Sequence, residues 1–324
     1  MPTPPLSALP SIDMSTLSEP TPAAYANPIK RYLAATRPAF LSVTLVGCLL
    51  GLAAAVEAGI TLRPLTATLT VLLALLVHAG VNVLNDYFDD QNGTDAVNTQ
   101  RVFPFTGGSR FIQNGVISAE TTRRFGLLLF LAVIPGGLAL VLSSGPGLLL
   151  IGALGMAVGW AYSAPPLKLA SRGLGELAVA GGWLLVVVGA DYVQRGAFSG
   201  QPLAAGLGYA LLVANLLYLN QFPDMFADAQ AGKRTMVVRL GLRRARWGYL
   251  FLAVAAHVSV VVGVAAGALP RLALFSLASL PLSLLAARVL LRHAAIPQAL
   301  APGIRLTILA ALLHGLILSG CLAV

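Results

Sequence analysis

Charge is scarce in this sequence. Only 10% of its residues are charged, against ~25% in an ordinary soluble domain. With 57% hydrophobic residues, a water-soluble globule would have to leave much of its apolar surface wet. Cysteine is nearly absent: Cys48 and Cys321 are the only two, and both fall inside apolar runs. They read as packing residues, which excludes a disulfide framework and a Cys–His zinc centre. Acidic residues number only 12. The net charge of +9 is spread along the chain and is not gathered in a tail or stripe, so nucleic acid is not the expected partner.

What is abundant is apolar sequence in lengths that suit a bilayer. A helix needs roughly 20 mostly apolar residues to cross the hydrocarbon core. Nine runs qualify, at about 40–57, 65–84, 125–143, 147–163, 176–193, 202–221, 248–269, 272–291 and 304–323. The expected fold is all-α, a polytopic membrane protein of nine transmembrane helices, with the lipid bilayer as its solvent. The third and fourth runs, separated only by Ser143–Gly147, should form a tight antiparallel pair. Residues 1–29, rich in Pro, Ser, Thr and Ala, read as a disordered tail without the apolar core of a signal peptide. The membrane domain is expected over 30–324.

Nine crossings put 18 of the 21 Lys and Arg residues on the N-terminal side and only Arg63, Arg195 and Arg271 on the other. The positive-inside rule then makes the N-terminal side cytoplasmic, and the expected location is a multi-pass protein of the cell inner membrane.

Half of the acids lie at the cytoplasmic ends of two runs: Asp86, Asp89, Asp90 and Asp95 after the second, Asp224 and Asp228 after the sixth. Ionisable groups at that depth are expensive and tend to mark function. At 100° per residue His78, Asn82, Asn85, Asp86 and Asp89 share one helix face, and a break at Gly93–Thr94 lets Asp95 fold back. Asn220, Asp224 and Asp228 share another face, with Pro223 expected to kink the helix. Asn85/Asp89 and Asn220/Asp224 repeat the spacing Asn-x3-Asp, as two facing half-sites would. Carboxylates so clustered repel unless a cation compensates, and carboxylates with amides suit a hard cation such as Mg²⁺ held jointly with phosphate. Basic loops lie beside both clusters: Arg101 and Arg110 with the turn Thr106–Arg110, Lys168 and Arg172 after Tyr162, and Lys233 with Arg234. That arrangement suits a diphosphate held by metal on one side and by Lys and Arg on the other.

At these residues the chain resembles the UbiA superfamily of intramembrane aromatic prenyltransferases, which has nine transmembrane helices and two Asp-rich motifs. Asn85-Asp86-x2-Asp89 with Asp95 matches the first motif and Asp224-x3-Asp228 the second, and the resemblance covers roughly 30–324. Asp86–Asp95, Thr106–Arg110 and Gly232–Thr235, with Tyr162–Pro166 and Arg172–Glu176 in agreement, are similar to the branch that prenylates 1,4-dihydroxy-2-naphthoate in menaquinone synthesis. The run Asn220–Asp224 departs from it, where a more polar stretch is expected. The resemblance implies a polyprenyl diphosphate and an aromatic acceptor as substrates, with Mg²⁺ bridging Asp86, Asp89, Asp95, Asp224 and Asp228 to the diphosphate. It implies catalytic roles for Asp86, Asp89, Asp224 and Asp228 with Asn85 and Lys168, and substrate binding by Asn82, Arg101, Arg110, Tyr162, Arg172, Asn220, Lys233 and Arg234. Tyr87, Phe88, Tyr162 and Tyr218 are the aromatics that could face a carbocation, and His78 is the one evident neutral base. Other acceptors, 4-hydroxybenzoate or homogentisate, stay open. A cation-coupled transporter is the competing class, since broken helices and buried acids suit it too.

Overall fold

The computed structural model describes residues 18–324, and it is helical throughout with no strand among them. Helices α1 (Pro28–Ala35), α2 (Pro38–Glu57), α3 (Pro64–Gln91), α4 (Thr94–Val97), α5 (Ala119–Ser144), α6 (Gly147–Ser163), α7 (Gly175–Arg195), α8 (Gln201–Gln230), α9 (Met236–Ala265), α10 (Leu280–His293) and α11 (Ala301–Leu322) follow in order. Eight helical segments are long and apolar enough to cross a membrane, and α6, at 17 residues, is a shorter apolar helix. These nine segments coincide with the nine runs read from the sequence. The eighth enters as a 3-10 helix, Arg271–Ser279, before continuing as α10.

Much of the expected tail lies outside the described residues, and its last part, from residue 18, makes contacts with the rest of the chain. Asn27 caps α1 by accepting from the Lys30 N–H at 3.1 Å, and Glu19 is tied to a loop more than eighty residues away. Charged and aromatic side chains in 19–32 find partners there, which a purely compositional reading of a Pro- and Ser-rich segment overlooks.

Helices α2 and α8 form the centre of the bundle, with 61% and 72% of their apolar windows buried, whereas α5, at 17%, lines its edge. Helix α8 packs on α7 and α9, α2 on α7 and α11, and α3 on α5. Glycine permits the closest crossing: a Cβ at Gly51 would fall 2.1 Å from the Val187 carbonyl, so α2 and α7 meet backbone to backbone. Helix α8 runs unbroken through Pro223, the position of the expected kink, and Gly241 inside α9 has non-helical angles (φ 70°, ψ 154°).

Helix lengths place the site. At 1.5 Å per residue α3 and α8 are ~42 and ~45 Å long, well beyond the ~30 Å of hydrocarbon. Their last turns therefore extend past the apolar layer at the same end of the bundle, carrying the acidic residues with them.

Candidate active site

The first acidic group is shaped by its own helix end. Asn85 donates from Nδ2 to Asp89 Oδ2 at 3.2 Å and to Ser163 Oγ on α6 at 3.0 Å. Asn92 donates to the other Asp89 oxygen at 3.2 Å. Gly93 then adopts φ 80°, a left-handed value that suits glycine, and α4 turns Asp95 back into the protein, where it is 2% exposed. Asp90 points elsewhere, accepting from Gln113 at 3.2 Å. Asn82 bonds the Thr36 carbonyl at 3.0 Å, and His78 shares a hydrogen bond with Thr44 Oγ1 at 2.8 Å.

The second group is organised from a distance. Asp224 accepts from Asn98 Nδ2 at 2.7 Å and from the Gly107 N–H at 3.3 Å, while Asn220 donates to the Phe105 carbonyl at 3.4 Å. The same loop serves the first group, since the Ser109 N–H donates to Asp86 Oδ1 at 3.2 Å. Here the turn Gly107–Ser109 spends its N–H groups on the two acidic motifs. Gly108 sits so close that a Cβ there would lie 2.5 Å from Asp95 Oδ2 and 3.1 Å from Asp86 Oδ1, and its φ of +72° again requires glycine. Gln221, within the departing run, faces the back of α8. It donates to Glu176 Oε1 and accepts from the Val237 N–H at 3.3 Å, so it joins α7, α8 and α9 away from the acids.

Lys233 lies between the groups. Its Nζ is 2.7 Å from Asp89 Oδ1 and 3.5 Å from Asp228 Oδ1, and the residue is buried. Burial would push the ammonium down, but Asp89 and Asp228 outweigh it and hold the group above the usual lysine range. The other basic residues are placed differently. Arg101 and Arg110 are engaged by Glu19 and by the carbonyls of Asn98 and Asp95. Arg172 is exposed and bonds the Pro166 carbonyl at 2.9 Å, and Lys168 and Arg234 are exposed. Sequence reading missed Arg37. It sits just ahead of α2 with φ 58°, 4.0 Å from Asp86 Oδ1, its guanidinium over the Phe40 ring. Its side chain has no hydrogen-bond partner among the described residues. Asn98 was also missed, since nothing periodic marks a single amide in a loop.

The donor set fits a divalent cation held jointly with a phosphate. Among the described residues, Asp95 Oδ2 is buried without a hydrogen-bond partner, as are the side-chain oxygens of Asn98 and Asn220. Burial, reinforced by Asp89 and Asp86, pushes the Asp95 carboxyl up to about 8, and a cation beside it would favour the charged form. Among the described residues no three acidic, His or Cys side chains converge into a complete cage. The five aspartates are distributed instead, Asp86 with Asp95 at Gly108, Asp89 with Asp228 across Lys233, and Asp224 of α8 bonded to the 98–107 loop. That is the donor-poor arrangement in which Mg²⁺ takes one or two carboxylates and completes its shell from phosphate and water.

From this acidic end a cavity of about 460 Å³ runs between α3, α5, α6 and α7. Arg37, Asn82, Asn85 and Tyr162 line its mouth, and Leu148 and Val193 its far end. Between them the walls are almost wholly apolar. Gly152 and Gly155 face it with nothing within 4 Å of where a Cβ would be. Of the four aromatics named as possible cation partners only Tyr162 reaches the cavity. Tyr218 instead donates to the Ala245 carbonyl at 2.7 Å, joining α8 to α9. A carrier needs a site reachable from both faces, and both acidic groups lie at one end.

The chain is similar to known proteins. The chain is 34% identical to the 1,4-dihydroxy-2-naphthoate octaprenyltransferase of Mycobacterium tuberculosis over 84% of this chain and 89% of that one. It is 30% identical to the protein of the same name from Escherichia coli, over 88% and 92%. A UbiA homologue from Archaeoglobus fulgidus, solved with GPP and Mg²⁺, has the same fold, with a TM-score of 0.59 at 17% identity over 89% of this chain and 99% of that one. The model of the UbiA prenyltransferase family matches residues 44–309, through both acidic helix ends, and the chain therefore belongs to the UbiA prenyltransferase family.

Proposed function

We propose that this prenyltransferase transfers a polyprenyl group from a polyprenyl diphosphate to 1,4-dihydroxy-2-naphthoate, releasing diphosphate and carbon dioxide to give a demethylmenaquinol, the reduced form of a demethylmenaquinone. The observation that carries the reading is the apolar cavity whose lining residues Arg37 and Asn85 contact Asp86 and Asp89, the latter paired with the buried Lys233. A polyprenyl tail needs walls without polar groups, and its diphosphate needs cations at the mouth. The names of the E. coli and M. tuberculosis relatives support the naphthoate acceptor.

Asp86, Asp89, Asp95, Asp224 and Asp228 would hold Mg²⁺, which when bound supplies the positive charge that neutralises the departing diphosphate. Lys233, already between the two acidic groups, donates to the same phosphate oxygens. As the allylic C–O bond breaks its electron pair leaves with the diphosphate, and the cavity walls keep water from the allylic cation. The Tyr162 ring at the mouth offers a π face to that cation. Arg37, at the cavity mouth and 4.0 Å from Asp86, would receive the acceptor carboxylate. The acceptor carbon bearing that carboxylate forms the new C–C bond. The C–CO₂⁻ pair then returns to the ring as carbon dioxide leaves, so no strong protein base is required and His78 stays a packing partner of Thr44. Both acidic ends face the cytoplasm of an inner membrane in this reading, on the distribution of Lys and Arg.

The test supplies membranes from an expressing host with labelled polyprenyl diphosphate and each of 1,4-dihydroxy-2-naphthoate, 4-hydroxybenzoate and homogentisate, measuring prenylated product and carbon dioxide. Naphthoate prenylation with stoichiometric carbon dioxide is expected. Prenylation of 4-hydroxybenzoate alone, without carbon dioxide, would remove the naphthoate assignment and leave the family intact.

A further inference from the structure

The segment ahead of α1 has no role in the chemistry above, yet it reaches the back of the active site. Glu19 Oε1 accepts from Arg101 Nε at 2.6 Å. Its Oε2 accepts from Asn114 Nδ2 at 3.1 Å and lies 3.8 Å from Arg110 Nε. Asn114 also donates to the Pro20 carbonyl at 2.9 Å. Tyr25 closes the contact edge-on to Phe111, their rings 4.9 Å apart.

Each arginine that Glu19 holds reaches onward to one acidic group. Arg110 donates to the Asp95 carbonyl and Arg101 to the Asn98 carbonyl. Asp95 presents its unpartnered carboxylate oxygen beside Asp86, and Asn98 holds Asp224 at 2.7 Å. The loop between them is poorly self-supporting. Gly107, Gly108 and Arg110 all have left-handed φ, at 76°, 72° and 66°. For Arg110 that conformation is unfavourable and persists only where surroundings over-determine it. The side chain of Arg110 is 8% exposed, so without Glu19 a nearly buried guanidinium would lose its nearest carboxylate.

We propose that Glu19 is a positioning residue for the diphosphate end of the active site: through Arg101 and Arg110 it fixes the backbone at Asn98 and Asp95, and so the register of both acidic groups toward Mg²⁺ and diphosphate. The inference rests on the reading of those carboxylates given under Proposed function. It assigns Arg101 and Arg110 to the loop's architecture, with Glu19 as their shared counter-ion.

Full-length protein in nanodiscs is titrated with Mg²⁺ in the presence of inorganic pyrophosphate, and the rise in Tm is followed. Glu19→Ala should raise the half-saturating Mg²⁺ concentration about tenfold, the factor equivalent to ~1.4 kcal/mol. Glu19→Gln, which keeps one acceptor oxygen and the side-chain volume, should shift it in the same direction by less. It also serves if Glu19→Ala fails to insert. Asp90→Ala, on the outward side of α3, should titrate like the wild type. In turnover assays, Glu19→Ala should raise KM for the prenyl diphosphate and leave KM for the aromatic acceptor unchanged, a split that loss of folded protein does not produce. A wild type that responds to Mg²⁺ and pyrophosphate, with both Glu19 variants superimposing on it, overturns the role of Glu19 alone. A wild type with no response overturns the reading of the carboxylates, and this inference with it.

Discussion

Replacing Lys233 with methionine removes the one buried cation that joins the two acidic motifs while keeping the unbranched side chain. The ammonium makes a charge-assisted hydrogen bond to Asp89 at 2.7 Å and a longer contact to Asp228 at 3.5 Å. Breaking a buried ion pair by deleting one partner costs roughly 3–5 kcal/mol. Asp89 is cushioned by Asn85 and Asn92, each donating at 3.2 Å, so the net loss should be nearer 2 kcal/mol, as for one charged hydrogen bond. At ~2–4 °C per kcal/mol that is a fall in Tm of roughly 4–8 °C without Mg²⁺. Saturating Mg²⁺ should return most of it, because a divalent cation between the same carboxylates supplies the missing charge. Turnover should not return. The leaving diphosphate would have lost a donor fixed in place before reaction, and loss of one such donor typically costs about 10²–10³ in kcat. The measurements are thermal unfolding in detergent with EDTA or Mg²⁺, and labelled prenyl transfer at saturating substrates. A variant with wild-type Tm in EDTA would show that Lys233 does not hold the motifs together. One with wild-type turnover would show that it does not assist the leaving group.

Three further outcomes follow from the same geometry. Asp95→Asn and Asp224→Asn should each lose most transfer activity in reconstituted membranes while Asp90→Asn keeps it, and EDTA should silence all of them; equal activity of the three would disconnect the acidic groups from the chemistry. Arg37→Gln should raise KM for an acidic acceptor about tenfold, as loss of a ~1.4 kcal/mol charged contact implies, with KM for the prenyl diphosphate little changed; a shift in the diphosphate constant instead would place Arg37 on the other substrate. Gly155→Phe, which fills open cavity beside α6, should depress turnover of a long polyprenyl diphosphate more than that of geranyl diphosphate in a direct competition, and an unchanged ratio would put the tail outside this cavity.

The apolar runs were legible because length and hydropathy alone fix a span, and the acidic faces because helical periodicity places Asn85, Asp86 and Asp89 together whatever surrounds them. The site's long-range bonds were not legible. Asn98 and Asp224 are 126 residues apart, and Gly107 and Asp224 are 117 apart. No local pattern announces which amide a loop will turn toward which helix. The basic residues could not be ranked from sequence for a related reason. On a rim rich in Lys and Arg, charge alone does not separate Lys233, buried between aspartates, from Lys168 and Arg234, which are exposed. Arg37 escaped notice because it looked like one more flanking charge, and its left-handed turn into the cavity mouth depends on the packing of α2.

The repeated Asn-x3-Asp spacing looks like two equivalent half-sites, but the structure uses its two copies differently. In the first, Asn85 supports Asp89 one turn along the same helix, and Asn92 completes the support from the helix end. That group can take shape as soon as α3 forms. In the second, Asn220 and Asp224 both turn to the loop, and no bond joins them. Asp224 therefore has its bonding partners only when residues 98–107 are in place. The same stretch of loop contacts Asp86 through Ser109 and crowds Asp95 at Gly108. One segment thus couples a pre-formed half-site to a dependent one. Disturbing the loop should weaken the second motif first, and weaken the first only through Asp86 and Asp95. That asymmetry makes the anchoring of the loop at Glu19 consequential for a reaction whose chemistry lies on its other side.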